Sequence, residues 1–276
     1  MKNPSQLVGV GLRPTHYPEL EGGASTQVDW FEAISENYMN TEGRPLKMLL
    51  KVREAYPVAL HGVGLSIGSY DGISKIYLQK LKMLISRVQP EVVSDHFCWS
   101  SIGGHYSHDL LPFPFNHEAL DRVVSNVHEV QDFLGRSICL ENISYYLKSK
   151  TDTFSEAQFI NEVCKRTGCG LLLDLNNVDV NAQNHGFDPK DFIRSLDLSH
   201  VRQIHLAGPS QEDDFVFDTH STPVPESVWD LYRFFSNIRP QAPVIIEWDE
   251  NIPSFSVLEA EAMKVREISQ LKEVVP

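Results

Sequence analysis

The sequence predicts an α/β protein that folds as a single (β/α)8 TIM barrel over residues 1–276. Eight short apolar runs are typical of buried parallel strands, and segments with helical periodicity separate them. The connections are short, which favours a closed barrel over an open doubly wound sheet. A chain of 276 residues, 42% of them hydrophobic, is long enough for such a barrel in one domain.

The predicted strands are rich in β-branched and large apolar residues, without the alternation that a half-exposed strand would show. They span residues 7–11, 30–36, 57–61, 91–96, 137–141, 170–174, 201–205 and 244–247. Runs of this kind are expected in a parallel sheet that is covered on both faces.

Seven predicted helices follow all of these strands except the first, because apolar residues recur there at about i, i+3, i+4 and i+7. They span residues 46–55, 73–88, 117–134, 155–166, 189–196, 225–237 and 256–271. Two starts are also marked chemically, by Asp188 before Pro189 and by Thr222 before Pro225. Asp and Thr can cap a helix, and proline is tolerated in its first turn.

Seven of the eight predicted strands end in a carboxylate or an imidazole, and TIM barrels carry their active sites at that end. These residues are Glu36, His61, His96, Glu141, Asp174, His205 and Glu247. Seven such groups converging on one barrel mouth would be very costly to desolvate without cations among them. The pattern therefore predicts a metal cluster at the C-terminal ends of the strands.

Each of these residues also has an ordinary structural interpretation when it is taken alone. A single buried histidine such as His61 is more often hydrogen-bonded to the backbone than bound to a metal. A single buried carboxylate such as Glu141 is often the partner of a cation. We favour the metal cluster because the pattern recurs at so many strand ends.

The donor types narrow the choice of metal. Imidazole and carboxylate without thiolate suit iron, manganese or zinc, and the residues are too many for one ion. We expect two or three ions that share bridging carboxylates, with Glu141 and Asp174 central because they come from adjacent middle strands. Asp218 and His220, two residues apart in an extended segment, point to the same side and could hold one further ion.

Four other residues have two possible roles. Asn177 and His185 are predicted to lie on a loop at the ligand end of the barrel, where they either bind metal or shape turns. Arg13 ends the first strand and either contacts an anion or forms a salt bridge at the barrel rim. Cys98 is better explained as a small buried hydrophobe than as a redox thiol.

Composition excludes some classes of partner and location. The formal net charge of −13 opposes binding to nucleic acid, whose affinity comes largely from Lys and Arg contacts to phosphates. The four cysteines lack a paired secretory spacing and the first residues lack an apolar signal segment, which predicts a cytoplasmic protein. No run of about 18 apolar residues is present, so we expect no membrane span.

Ten ordered motifs resemble those of the multinuclear non-heme iron-dependent oxidative enzymes. In the first half they are GVGLR at 9–13, SENY at 35–38, LHGVGLS at 60–66, DHFCWS at 95–100 and LENIS at 140–144. In the second half they are LDLNNV at 173–178, NHG at 184–186, IHLAG at 204–208, DTH at 218–220 and IEWD at 246–249. Their shared order makes the resemblance more specific than any one motif.

The resemblance implies a xylose-isomerase-like barrel that holds two or three irons in mixed Fe(II) and Fe(III) states. Such enzymes use dioxygen to modify cysteines of a ribosomally synthesised precursor peptide, often with a partner protein that binds the leader. Residues that match the family's metal ligands are His61, His96, Glu141, Asp174, Asn177, His185, His205, Asp218, His220 and Glu247. Glu141 and Asp174 are the expected catalytic pair at the centre of the cluster.

Two other classes of function stay open on the residues alone. A divalent-metal-dependent sugar isomerase or hydrolase could use the same barrel, with zinc, manganese or magnesium polarising a hydroxyl or a phosphate. A non-enzymatic, metal-free binding module is the other alternative, in which the ligand-like residues are structural.

Overall fold

The computed structural model describes residues 7–23, 25–239 and 242–273. Its strands are β1 Val8–Gly11, β2 Trp30–Ile34, β3 Val58–His61, β4 Val92–His96, β5 Trp99–Ile102, β6 His105–Leu111, β7 Cys139–Glu141, β8 Gly170–Asp174, β9 Val201–Leu206, β10 Ser210–Glu212, β11 Phe215–Phe217 and β12 Val244–Ile246. The parallel strands β1, β2, β3, β4, β7, β8, β9 and β12 close a barrel in chain order, with Val8 opposite Val244 at the closure. The predicted eight-stranded TIM barrel is confirmed.

The helices cover the outside of this barrel. They are α1 Tyr17–Glu21, α2 Glu36–Met39, α3 Arg44–Ala55, α4 Lys75–Val88, α5 His117–Leu134, α6 Glu156–Thr167, α7 Leu175–His185, α8 Pro189–Ser195, α9 Glu226–Ile238 and α10 Phe255–Glu273. The seven predicted helices correspond to α3 to α6 and α8 to α10. Asp188 caps α8 as expected, whereas α9 begins after Pro225 without a side-chain cap, because Thr222 donates its hydroxyl to Pro209 O instead.

Two segments differ from the sequence prediction near the mouth of the barrel. The second strand ends at Ile34, so Glu36 begins helix α2 and is not a strand end. The segment that contains Asn177 and His185 is helix α7, not a loop. The sequence does not show this helix because polar side chains such as Asp179 and Asn181 are buried in it, so no apolar stripe marks it.

Two antiparallel hairpins also rise from the C-terminal side of the barrel. Strands β5 and β6 pair directly after β4, and β10 pairs with β11 directly after β9. The second hairpin contains the acidic run at 212–214. Of the helices in the described part of the chain, none combines the length and hydropathy that crossing a membrane requires.

The interior of the barrel has an apolar floor. Trp30, Ala59 and Ile245 form a separate buried cluster there, and a Cβ on Gly9 would lie 2.3 Å from the Trp30 ring, so that position needs glycine. Side chains two residues apart on a strand point to the same face. The next inward position after Trp30 is therefore Glu32, and polar residues begin directly above the floor.

Candidate metal centre

Three groups of histidine and carboxylate side chains meet at the C-terminal mouth of the barrel. The first contains His61, His96 and Glu141, the second Glu141, Asp174, His205 and Glu247, and the third His220, Glu247 and Asp249. Within each group the potential ligand atoms lie within 4.8 Å of one another. Glu141 is common to the first two groups and Glu247 to the last two, so the three groups form one continuous cluster.

The first group has two imidazoles that face one carboxylate oxygen. His61 Nε2 and His96 Nε2 lie 3.3 and 3.4 Å from Glu141 Oε2. The other ring nitrogen of each histidine is engaged elsewhere, because His61 Nδ1 contacts Ser94 Oγ at 2.8 Å and His96 Nδ1 contacts Gly62 O at 3.0 Å. Such contacts fix the orientation of an imidazole and leave its second nitrogen for a metal.

The second group lies on the other side of Glu141. His205 Nδ1 is 3.7 Å from Glu141 Oε1, 3.9 Å from Asp174 Oδ2 and 2.9 Å from Glu247 Oε2. The two oxygens of Glu141 therefore face different groups. This is the arrangement that a carboxylate bridging two ions requires.

A polar layer below His205 was not identified from the sequence. His205 Nε2 lies 2.9 Å from Glu32 Oε1, and the amide of Gln203 donates to the other oxygen of Glu32. All three side chains are buried. The alternation of inward positions along 30–34 could have identified Glu32, but the prediction placed the end of that strand at Glu36.

The third group lies under the β10–β11 hairpin. His220 Nδ1 is 3.4 Å from Glu247 Oε2 and 3.2 Å from Asp249 Oδ2, while its Nε2 is 2.6 Å from Asp218 Oδ1. His220 has a positive φ of 47°, a conformation that is uncommon outside glycine. Asp218 contacts His220, as the sequence pairing predicts, but the residue that completes the group is Asp249. Asp249 occurs in a recognised motif but was not predicted as a ligand.

Two further predicted ligands lie at different distances from the cluster. The Asn177 side chain is 3.5 Å from Glu141 Oε1, at the edge of the second group. His185 ends helix α7, with its Nε2 2.7 Å from Tyr145 O and its ring stacked on the Tyr145 ring. The structure therefore brings Asn177 to the cluster and places His185 against the backbone outside the three groups.

Three other residues singled out in the sequence are held by neighbours. Glu36 accepts hydrogen bonds from the Val63 amide and the Tyr77 hydroxyl and lies outside the three groups. Arg13 is buried and forms an ion pair with the exposed Asp249, which is the rim salt bridge that the sequence left as one of two roles. Cys98 is fully buried, and burial raises the pKa of its thiol, which opposes a redox role.

The donor atoms of the cluster fit metal ions. Within the described residues, Glu141 Oε2, Asp174 Oδ2, His205 Nδ1 and His220 Nε2 are buried atoms without a contact of hydrogen-bond geometry, although carboxylate and imidazole atoms lie at ion-pair distance from them. Buried polar atoms are normally hydrogen-bonded, so atoms in this state are suited to bind a metal ion. Two donors that each lie about 2.1 Å from one ion are separated by at most about 4.2 Å. The distances of 2.9–3.9 Å from His205 Nδ1 to oxygens of Asp174, Glu247 and Glu141 satisfy that limit.

Electrostatics in the metal-free protein show how strongly these groups interact. Burial alone would raise the pKa of Glu141, but the imidazoles of His96 and His205 lower it to about 2. Burial would lower the pKa of His96, but Glu141 and then Asp95 raise it to about 9. Burial and the neighbouring Glu141 raise the pKa of Asp174 well above its ordinary value. Protons bound by histidine balance the carboxylate charge until cations replace them.

The cluster opens to a cavity of about 320 Å³. His61, His96, Glu141 and Glu247 lie in its wall, so one molecule in the cavity can contact several potential metal ligands. The volume is within the range of small-molecule sites.

Comparison with known proteins identifies a family. A family model described as "RiPP precursor modification enzyme MbnB/TglH/ChrH" matches residues 7–270. RiPP denotes a ribosomally synthesised and post-translationally modified peptide. A UPF0276 protein of Caulobacter vibrioides is 48% identical over 253 residues, which are 92% of this chain and 90% of that protein. A UPF0276 protein of an Anaeromyxobacter species is 46% identical over 260 residues, covering 94% of this chain and 92% of the relative.

Solved structures resemble the barrel at low sequence identity. An L-ribulose 3-epimerase superposes with a TM-score of 0.63 and 14% identity, covering 98% of this chain and 97% of that one. Endonuclease IV from Thermus thermophilus gives a TM-score of 0.57 and 14% identity, with 97% and 100% covered. A fusion protein with a xylose isomerase-like TIM barrel gives 0.61 and 11% identity, covering 98% of this chain and 45% of that protein. These likenesses show a xylose-isomerase-like fold and carry no activity to this chain.

Proposed function

The chain belongs to the MbnB/TglH/ChrH family of RiPP precursor modification enzymes, and from that premise we propose that it is a multinuclear non-heme iron-dependent oxidase. Its proposed substrate is a cysteine residue of a ribosomally synthesised precursor peptide, and its co-substrate is dioxygen. Family membership makes the chain an enzyme on a TIM barrel; the iron, the oxidation and the cysteine belong to our proposal.

The observation that carries the proposal is the shared carboxylate of Glu141. One oxygen faces His61 and His96 and the other faces His205, and a buried atom on each side lacks a hydrogen-bond partner among the described residues. A structural ion pair does not require imidazoles on both sides of one carboxylate. A set of imidazoles and carboxylates around a common carboxylate suits two or three iron ions.

The residues of the cluster would bind and orient these ions. His61, His96 and Glu141 would hold one ion, and Glu141, Asp174, His205 and Glu247 a second. Iron bound there would supply positions for a thiolate and dioxygen and would exchange the electrons of the oxidation. The side chains themselves provide a buried, preorganised donor set beside a cavity of about 320 Å³.

His220 and Asp249, together with the shared Glu247, would hold a third ion. Asp218 contacts His220 Nε2 and is itself fixed by the amide of Asn176 and the hydroxyl of Ser144. We assign Asn177 to the edge of this ligand set because its side chain lies beside Glu141. His185, which contacts Tyr145 O, stays a predicted ligand outside the three groups.

The two alternative functions have less support. The epimerase and endonuclease structures share the barrel at 14% identity, which does not extend to their substrates. A metal-free binding module would not explain the buried donor atoms of the cluster that lack hydrogen bonds among the described residues. The family also consists of modification enzymes. We include in the proposal a separate protein that binds the leader of the peptide, which copurification with the chain would test.

The test uses a cysteine-containing peptide encoded beside the gene of this protein and the iron-loaded protein. We expect oxygen consumption that depends on the peptide, that stops when the peptide cysteine is replaced by serine, and that zinc in place of iron does not support. Turnover that continues without oxygen, or with zinc alone, would assign the protein to the hydrolase or isomerase class instead.

A further inference from the structure

A second and larger cavity lies beside the metal cavity. Its volume is about 810 Å³, against about 320 Å³ for the cavity at the metal ligands. Leu111, Pro112, Tyr145 and Leu147 line both. We call the larger space the phenylalanine cavity, after the five phenylalanines in its wall, Phe113, Phe115, Phe154, Phe187 and Phe192. A molecule in the phenylalanine cavity would therefore lie next to a molecule in the metal cavity, at the wall that the two cavities share.

The inner wall of the phenylalanine cavity is uncharged as well as aromatic. Among the described residues that line it, the one buried acid is Glu156, which shares a hydrogen bond with the Tyr145 hydroxyl. Burial raises the pKa of Glu156 to about 8, so the carboxyl group is mostly protonated at neutral pH. Such a wall favours large apolar side chains, whose transfer from water is the main source of affinity in an apolar site.

The rim of the cavity has the opposite character. Asp152, Asp188 and Asp191 line it against a single lysine within the described wall, Lys148, although Arg194 pairs with one oxygen of Asp191. The chain as a whole carries a formal net charge of −13. A ligand with a positive charge near its apolar part therefore complements the rim better than an anionic one.

We propose that the phenylalanine cavity binds the segment of the precursor peptide next to the reacting cysteine, and that this segment carries a large apolar side chain flanked by a basic residue. The proposal rests on the proposed function for the identity of the substrate as a peptide. The shared wall supplies the reason for assigning both cavities to one molecule. Leu147 at that wall is 79% exposed in the described structure, so it is free to contact the chain that passes from one cavity to the other.

Two synthetic peptide series provide a direct test. One is acetyl-Lys-Phe-Leu-(Gly)n-Cys-amide with n from 0 to 4, and the other replaces Phe-Leu by Ser-Ser; each is also made with the cysteine at the amino end. Binding to the iron-loaded protein is measured by calorimetry without oxygen. For at least one spacer we expect the Phe-Leu peptide to bind about tenfold or more tightly than its Ser-Ser partner, because it buries two large apolar side chains.

Variants locate that preference in the phenylalanine cavity. Leu147→Ser and Phe187→Ser are expected to reduce the preference at least fivefold without changing the iron content. Ile76→Ser is the matched control, since Ile76 on α4 is 68% exposed and lies outside both cavities. The melting temperature of each variant verifies that it is folded.

A cross-linking experiment gives a readout that does not depend on turnover. A peptide with benzoylphenylalanine in place of Phe is irradiated on the protein, and adducts are mapped by mass spectrometry. Adducts within 111–115, 145–157 or 187–195 support the proposal; adducts only elsewhere, or equal affinity for the two peptide series at every spacer, overturn it. Oxygen consumption is measured separately, so a failure of the proposed function is distinguished from a failure of this binding site.

Discussion

Glu141 is the residue on which the proposed metal centre depends most, because it belongs to two of the ligand groups. Its carboxylate is buried, its two oxygens face different histidines, and Oε2 lacks a hydrogen-bond partner among the described residues. In the metal-free protein the surrounding imidazoles hold its pKa at about 2, so it is a fully ionised acceptor at every ordinary pH. A neutral isostere tests the charge without changing the volume.

We predict that Glu141→Gln keeps the fold but loses at least one metal ion per chain and all turnover, because a neutral amide cannot bridge two cations. Metal analysis after iron loading, with circular dichroism to verify the fold, measures this. Glu36→Gln is the matched control: Glu36 is also acidic and partly buried, but it contacts Val63 and Tyr77 outside the cluster. Wild-type metal content in the Glu141 variant would show that the assignment is wrong.

Glu32 acts on the site through another residue. One carboxylate oxygen of Glu32 contacts Nε2 of His205, and the other accepts a hydrogen bond from the side-chain amide of Gln203. The contact with Nε2 leaves Nδ1 of His205 facing the cluster. Carboxylates in this position orient metal-binding histidines, and their loss typically lowers metal affinity by about 10–100-fold. We predict a weakening of that size for Glu32→Gln in a competition titration with a chelator. Affinity equal to that of wild type would assign Glu32 a purely structural role.

At the scale of elements, the junction between β8 and α7 joins folding and metal binding in one side chain. Asp174 Oδ1 accepts a hydrogen bond from the backbone N–H of Asn177 at 2.7 Å and thereby caps α7. Its other oxygen, Oδ2, lies 3.9 Å from His205 Nδ1 and 3.9 Å from His220 Nε2. The cap determines where the helix begins, and the start of the helix brings Asn177 beside Glu141.

Because the two oxygens of Asp174 have different roles, two substitutions at this position are expected to have different effects. Asp174→Asn keeps an oxygen for the cap and removes a carboxylate whose pKa burial and Glu141 raise, so the metal-free variant should be as stable as wild type or more stable. Asp174→Ala also loses the cap, which costs about 1 kcal/mol. Both should lose metal. Urea denaturation of the metal-free proteins measures the difference, and equal stability of the two variants would contradict the capping role.

The elements also show what sequence could predict and what it could not. Strands were predictable because their buried runs are continuous, and inward positions at their ends gave most of the cluster, including His61, Glu141 and His205. Glu32 was missed because only the ends of the predicted strands were searched for ligands, and Glu32 lies in the middle of β2. Helix α7 was missed because its buried face is polar, and no sequence period reveals contacts made by Asn181 to the backbone at Ile143 and Tyr145.

At the scale of the whole molecule, the barrel separates an apolar floor from a charged mouth. Trp30, Ala59 and Ile245 close the interior below Glu32, so the ligands lie above a buried apolar base. The cluster has more donors than one ion can use. We predict that protein purified without chelator, after iron supplementation, contains about two or more iron atoms per chain by elemental analysis. Less than about one would contradict a multinuclear centre.

The raised pKa values of the histidines at the charged mouth predict how the stability of the metal-free protein depends on pH. The pKa of His96 is raised from 6.5 to about 9, chiefly because Glu141 outweighs the effect of burial. Its protonated form therefore stabilises the folded state fully below pH 6.5, and that contribution is lost as the pH rises through 9. For His96 alone the loss is on the order of 3 kcal/mol. His205 and His220, whose pKa values are also raised, add to it in the same direction.

We therefore expect the free energy of unfolding of chelator-treated protein to fall between pH 6.5 and 9. Metal binding displaces the same protons, so the stabilisation that iron adds should grow over that interval, because the ligands no longer have to lose protons when the metal binds. His96→Gln should reduce the pH dependence of the metal-free protein, while His128→Gln, on an exposed part of α5, should not. Urea denaturation of both variants across this pH interval measures the effect, and an unchanged slope in His96→Gln would contradict a stabilising proton on His96 before metal binds.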